Sequence, residues 1–180
     1  MNGKVPVPLD RALQVGPPTT VVLATCVSRE GKPNIITLGM FMHISRNPPL
    51  VTIGVSPRRY SHRLIEETRE FVVNLPSRRL VEQVMFCGAV SGREHDKFRE
   101  AGLTPVPASK VKPPLVKECV SNLECRVVAS YVCGDHTLFV GEVVAAHVDE
   151  DMLKGDVLDV QKAEPVSHRG GIYYTAKKIE

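Results

Sequence analysis

The stretch Leu123-Glu124-Cys125-Arg126-Val127-Val128-Ala129-Ser130-Tyr131 decides the fold class. Leu123, Cys125, Val127, Ala129 and Tyr131 alternate with Glu124, Arg126, Val128 and Ser130, the period of two that predicts a long strand with a distinct side chain set on each face. Cys133-Gly134-Asp135-His136 turns the chain, and Thr137–Val148 returns as the partner strand. Gly141 within the return points to a bulge or sharp bend of the kind a small barrel needs.

Upstream, Thr20–Val27 is a β-branched run, Glu30-Gly31-Lys32-Pro33 supplies turn chemistry, and Asn34–Ile44 reads as one returning strand. Arg46-Asn47-Pro48-Pro49 breaks it. Leu50–Val55 is almost continuously apolar, which suits a strand buried on both faces or interior to a barrel. A helical middle follows, with Ser61 as N-cap and Leu64 and Ile65 on the inner face. Phe71–Leu75 is a short strand, and Arg78–Phe86 has helical spacing. Ser91-Gly92-Arg93-Glu94 matches a capping box, so a helix is expected from Ser91 to about Ala101, ended by Gly102. The stretch containing Pro105, Pro107, Pro113 and Pro114 reads as an ordered surface loop. Gly170-Gly171 precedes a final strand, Ile172–Ala176. The sum is a mainly β chain: a small Greek-key barrel with a few short helices.

The 180 residues, 43% apolar and 24% charged, suffice for one domain with a substantial core. A net charge of +3 and the absence of tryptophan argue against nucleic acid as partner. No stretch approaches the roughly 20 apolar residues of a membrane span, and Met1–Asp10 lacks the apolar core of a signal peptide, so a cytoplasmic protein without membrane partners is expected. Five cysteines at wide spacings, with no Cys-x-x-Cys, fit reduced buried thiols, although a redox-active or metal-binding Cys119/Cys125 pair stays open. No metal site is expected.

Four segments carry candidate chemistry. Ser56-Pro57-Arg58-Arg59-Tyr60-Ser61-His62 joins an apolar strand to a helix start, where free N–H groups, arginine forks and a hydroxyl suit a phosphate. The same residues also read as a solvated basic turn. Cys87-Gly88 followed by Ser91–Phe98 allows close backbone approach to a ligand, or is a plain helix–loop–helix with Phe98 in the core. In Gly134-Asp135-His136, at a hairpin tip, turn chemistry explains the glycine and the aspartate, and a histidine beside them is more often solvated than functional. Asn34–Ser45 scatters polar residues through an apolar strand whose backbone groups suit a flat heteroaromatic ring. No nucleophilic triad, paired-carboxylate site, Walker pattern or Rossmann pattern occurs.

In order along the chain stand Gly31-Lys32-Pro33-Asn34, Asn47-Pro48-Pro49-Leu50, Arg59-Tyr60-Ser61-His62, Phe71–Pro76, Cys87-Gly88, Ser91-Gly92-Arg93 with Asp96-Lys97-Phe98, Asn122–Cys125 and Gly134-Asp135-His136. This series resembles the flavin reductase-like proteins, in particular their flavoredoxin and ferric reductase branch, over about Pro18–Val148. Where that family often carries a tryptophan, this chain has Met40-Phe41-Met42. The resemblance implies a Greek-key split β-barrel spanning residues 1–180 as one FMN-binding domain, with a core at about 18–148 and a C-terminal extension at 149–180. It implies a homodimer with non-covalent FMN. Arg59 and Ser61 would hold the phosphate with Arg58 nearby; Thr37, Leu38, Gly39 and Met40 would line the ring; Ser91 and Lys97 would close over it. His136 would meet the nicotinamide in catalysis. The implied activity is NAD(P)H-dependent reduction of free flavin, a ferric chelate or a small redox protein. A flavoredoxin-type carrier without a nicotinamide site, and a flavin-free barrel serving as an interaction module, are the alternatives.

Overall fold

A computed structural model describes residues 3–179; of the N-terminal stretch read above, Met1 and Asn2 lie outside them, as does Glu180. The main strands are β1 (Val22–Val27), β2 (Pro33–Leu38), β3 (Phe41–Arg46), β4 (Pro49–Val55), β5 (Glu70–Leu75), β6 (Ser121–Cys133) and β7 (His136–Val148). They form one antiparallel sheet in the order β2-β1-β5-β6-β7-β4-β3. Strands β5, β6 and β7 follow one another, and β4, which precedes them, lies beside β7. That is the Greek-key arrangement. The sheet closes around one core that includes Val22, Ile36, Ile53, Phe71, Cys125 and Phe139, with Leu64 and Ile65 of α1 (Tyr60–Thr68) packed into it. Its two edge strands, β2 and β3, share no ladder, so the barrel is split.

The near-continuous apolar character of β1 has a packing cause. Val22, Ala24 and Cys26 face the barrel, while Leu23 on the other face joins Ile35, Val84 and Phe98 in a second core beneath α2 (Val81–Ala89) and α3 (Lys97–Ala101). A valine or leucine buried in this way contributes about 1.5–3 kcal/mol. Val166 belongs to the same second core, so the C-terminal segment is integral to the packing. There β8 (Val166–Arg169) pairs with β9 (Ile172–Thr175) and with Thr19–Thr20.

Three local expectations change. The strand read as Asn34–Ile44 is two strands, because β2 pairs with β1 while β3 pairs with β4 at the opposite edge. The chain turns the corner at Gly39-Met40, where the Met40 carbonyl accepts from Gly54 N at 2.9 Å. Ser61 is not the N-cap of α1: Arg59 holds that position, and Ser61 lies buried in the first turn. Nor does Ser91 cap α3. Residues Ser91–His95 fold as turns, and the helix begins at Lys97, where the Asp96 carboxylate accepts from Arg99 N.

The expected bend at Gly141 is present as a register shift between Val140 and Gly141. A Cβ on Gly141 would lie 2.5 Å from Cζ of Phe71. The alternation in β6 holds from Leu123 to Val127; there the register against β7 skips Val128, which puts Ala129 on the other face, and Tyr131 is exposed. The polar face is partly covered. Glu124 is fully buried, accepting from Ser109 N (2.8 Å), Ser109 Oγ (2.9 Å) and Lys110 N (2.6 Å), with His147 Nε2 2.7 Å away. The proline-rich loop is thereby pinned to the sheet.

Candidate functional site

The corner between β2 and β3, the start of α1, and the β6–β7 turn border a cavity of about 560 Å³. Thr37, Leu38, Gly39, Met40, Arg59 and His136 line it. The hydroxyl of Thr37 donates to the Val84 carbonyl at 2.6 Å, which turns that side chain toward α2. The Thr37 hydroxyl is thereby engaged within the fold, while Met40, half-exposed, borders the cavity with Gly39. His136 begins β7, and its Nδ1 lies 2.7 Å from Asp135 Oδ1, leaving Nε2 for a ligand. That hydrogen bond holds the Asp135 carboxyl below its ordinary value.

A smaller cavity of about 130 Å³ adjoins the first, lined by Arg58, Arg59, Ser61, Ser91 and Lys97 among others. Arg59, Ile36 and Gly88 border both. All ten residues to which the resemblance gives a role thus border this pair of adjoining cavities.

The small cavity has the chemistry of an anion site. α1 opens onto it with no side-chain cap on its first N–H groups, and the helix dipole adds positive potential there. Ser61 Oγ accepts from Asn34 Nδ2 at 2.8 Å, so its own proton is available to a ligand. Lys97 is only 5% exposed. Its Nζ donates to the Cys87 carbonyl at 2.7 Å and has further N–H bonds to give. Burial lowers its pKa from the ordinary lysine value. Among the described residues, none of Lys97, Arg58, Arg59 and Arg93 forms a salt bridge with a carboxylate. A buried lysine is almost always paired, and here the space beside it is a cavity.

Sequence reasoning missed several contributors. Asn34 orients Ser61 from β2, and Gly92 lets the 90–96 loop approach it: a Cβ there would stand 2.0 Å from Asn34 Oδ1. Arg63 and Arg93 both stack on the Tyr60 ring, each 5.3 Å from its centroid. Arg169, Leu13, Gly16 and Pro17 line the larger cavity from the two ends of the chain. Asn34, Tyr60, Gly92 and Arg93 all stand in the motif series, which was the available signal; nothing local in sequence joins Arg169 to the site.

The five cysteines are free thiols; Cys26, Cys87, Cys119 and Cys125 are buried and only Cys133 is exposed. Burial raises Cys26 and Cys87 to about 11 and Cys125 to about 12. Cys119 and Cys125 do not pair with each other.

A family model for the flavin reductase like domain matches residues 16–173. The chain is 31% identical over 129 residues to a flavin reductase (NADH) of Kitasatospora aureofaciens, covering 71% of this chain and 65% of that protein. In structure it is similar to flavoredoxin of Desulfovibrio vulgaris (Miyazaki F), with a TM-score of 0.89 and 28% identity over 100% of this chain and 96% of that one. Flavoredoxin from Methanosarcina acetivorans matches with a TM-score of 0.89 and 30% identity, covering 99% and 94% of the two chains.

Proposed function

The chain belongs to the flavin reductase-like family, and from that premise we propose that it binds FMN non-covalently and works as a flavin-dependent oxidoreductase in electron transfer. The observation that carries this is Lys97: a buried cation without a carboxylate partner, on a small basic cavity that opens past Arg59 into one large enough for a planar ring. Cavities of a few hundred Å³ are the usual size for such ligands.

In this reading Lys97, Arg59 and Ser61 hold the phosphate, with Arg58 and Ser91 at the rim and the first N–H groups of α1 completing the cradle. Thr37, Leu38, Gly39 and Met40 lie along the ring. FMN supplies the redox chemistry, taking a hydride and passing electrons onward, so the protein needs no acid–base pair of its own. His136 orients a nicotinamide through Nε2 while Asp135 fixes its ring. NADH or NADPH is the donor, and free flavin, a ferric chelate or a small redox protein the acceptor. Anaerobic mixing of the yellow, FMN-loaded protein with each nicotinamide tests this. Bleaching of the flavin absorbance within seconds supports the reductase. No bleaching with either donor, while dithionite still reduces the flavin, gives instead the electron carrier, which the likeness to two flavoredoxins favours.

The proposed assembly is a homodimer. Edge strand β3 exposes Met42 and Ile44 at 59% and 42%, with Met40 beside them at 48%. An apolar edge of this kind is normally covered. Sedimentation equilibrium should show a dimer at micromolar concentration; a monomer there contradicts it. Residues 1–180 as one flavin-binding domain, in the cytoplasm, complete the reading. Four buried free thiols accord with a reducing compartment, and among the described residues no helix is long and apolar enough to cross a membrane.

A further inference from the structure

The segment before β1 lines the larger cavity with Leu13, Gly16 and Pro17 without burying a side chain there. Residues 9–15 form a short 3-10 helix with no buried side chain, and Leu13 is 80% exposed although it borders the cavity. Side-chain burial therefore does little to keep this segment in place. Arg169, at the end of β8, supplies the attachment. Its Nη1 donates to the Leu13 carbonyl at 2.6 Å, its Nε to the Pro17 carbonyl at 3.0 Å, and its Nη2 to Pro17 as well. Among the described residues, apart from the local turn bond from Arg11 N to the Pro8 carbonyl, the hydrogen bonds that join residues 9–17 to the rest of the chain all come from Arg169. The planar guanidinium suits this, since one rigid fork engages two carbonyls at once.

We propose that residues 9–17 are a releasable wall of the larger cavity, that Arg169 is its latch, and that release of the latch governs how fast a ligand enters and leaves. The ligand's identity rests on the flavin reading above; the latch does not. Segments with few buried contacts and a single attachment are the ones that open at low cost. Arg169 acts here as a positioning residue, through the backbone it holds. The edge of the ring nearest Leu13 would be shielded when the wall is closed.

Limited trypsin digestion of the FMN-free protein reads the latch directly, because Arg11 lies within the wall. Arg169→Ala should speed cleavage after Arg11 by about tenfold or more, with the thermal midpoint reporting that the barrel is folded. Arg169→Lys, with one donor group in place of the fork, should fall between that variant and wild type. Stopped-flow loss of flavin fluorescence then reads exchange: FMN should associate and dissociate several-fold faster in Arg169→Ala. In the unmodified protein, FMN should slow amide hydrogen exchange across residues 9–17. Unchanged cleavage in Arg169→Ala overturns the latch. Faster cleavage with unchanged FMN exchange, or amide exchange that FMN leaves unaltered, overturns its control of entry. A wild type that binds no FMN overturns the flavin reading and the gating of that ligand, while the digestion still decides the latch.

Discussion

Asn34 on β2 donates from Nδ2 to Ser61 Oγ, 2.8 Å away in the first turn of α1, and this bond joins the ring-lining strand to the anion cradle. Both residues are buried, Asn34 at 4% and Ser61 at 2% exposure, and the 90–96 loop closes over them at Gly92. A Cβ at position 92 would meet Asn34 Oδ1 at 2.0 Å, so either the loop retreats or the Asn34–Ser61 bond breaks. Gly92→Ala is expected to destabilise the protein by about 1–3 kcal/mol, as overpacking does. It should also weaken FMN about tenfold. Denaturant unfolding and FMN titration of the same variant check the two effects.

Glu124 gives a stability prediction away from the cavities. Burial alone would raise its pKa. The hydrogen bonds from Ser109, His147 and Lys110 outweigh that and bring it down to about 2 from 4.5. A carboxylate whose folded pKa is depressed stabilises the protein above its unfolded value, and that stability is lost as pH falls through the folded one. Stability should therefore decline between about pH 4.5 and 2, partly through this group. Glu124→Gln turns an amide N–H₂ toward backbone donors and should cost about 1–3 kcal/mol at neutral pH. Unfolding across pH should show a shallower acid decline in the variant than in wild type.

The same residue shows where sequence stopped being sufficient. The period of two in β6 placed Glu124 on the polar face correctly, but only the proline-rich loop, drawn in by Ser109 and Lys110, makes that face an interior. Such burial depends on contacts 14 and 15 residues away, which no periodicity records. Gly141 was legible because a glycine inside a strand marks a bulge or close approach whatever imposes it; that Phe71 imposes it was not. Asn34–Ile44 was misread as one strand because both halves have the same strand character; the partners differ, and partnership is tertiary. Ser91 fitted a capping box by composition, yet Gly92 is committed to Asn34, and Asp96 caps α3 instead. The site residues came from motif order and lie together on the two cavities. Arg169, joined to Pro17 across 152 residues, left no sequence trace.

His136 separates the reductase from the carrier. Its Nδ1 is engaged by Asp135, and its position at the first residue of β7 fixes the ring direction along the cavity wall. If it orients the nicotinamide, His136→Ala should slow flavin reduction by NADH or NADPH by roughly 10–100-fold, since misplacing reacting groups by about 1 Å carries a cost of that size. FMN affinity and the rate with dithionite should stay close to wild type. Equal nicotinamide rates in the two proteins would reduce His136 to a turn residue.

Arg59, exposed at the junction of the two cavities, is expected to contribute through its charge on the phosphate side. Arg59→Ala should lower FMN affinity by about 2–3 kcal/mol, the range for a charge-assisted contact. Riboflavin binding should hardly change, and the salt dependence of FMN binding should become shallower.

Lys97 bears the central claim, that the small cavity is built for a phosphate. Calorimetric titration of FMN and riboflavin into wild type and Lys97→Met tests it most directly. Methionine fills nearly the same volume without the charge, and it relieves the desolvation of a buried cation while leaving the Cys87 carbonyl without its donor. The expected result is an FMN-free variant that stays folded, destabilised by no more than about 1–3 kcal/mol, with FMN affinity lowered by about 2–3 kcal/mol and riboflavin affinity unchanged. Equal FMN affinity in the two proteins, or an equal loss for both ligands, would contradict the assignment of this cavity to the phosphate.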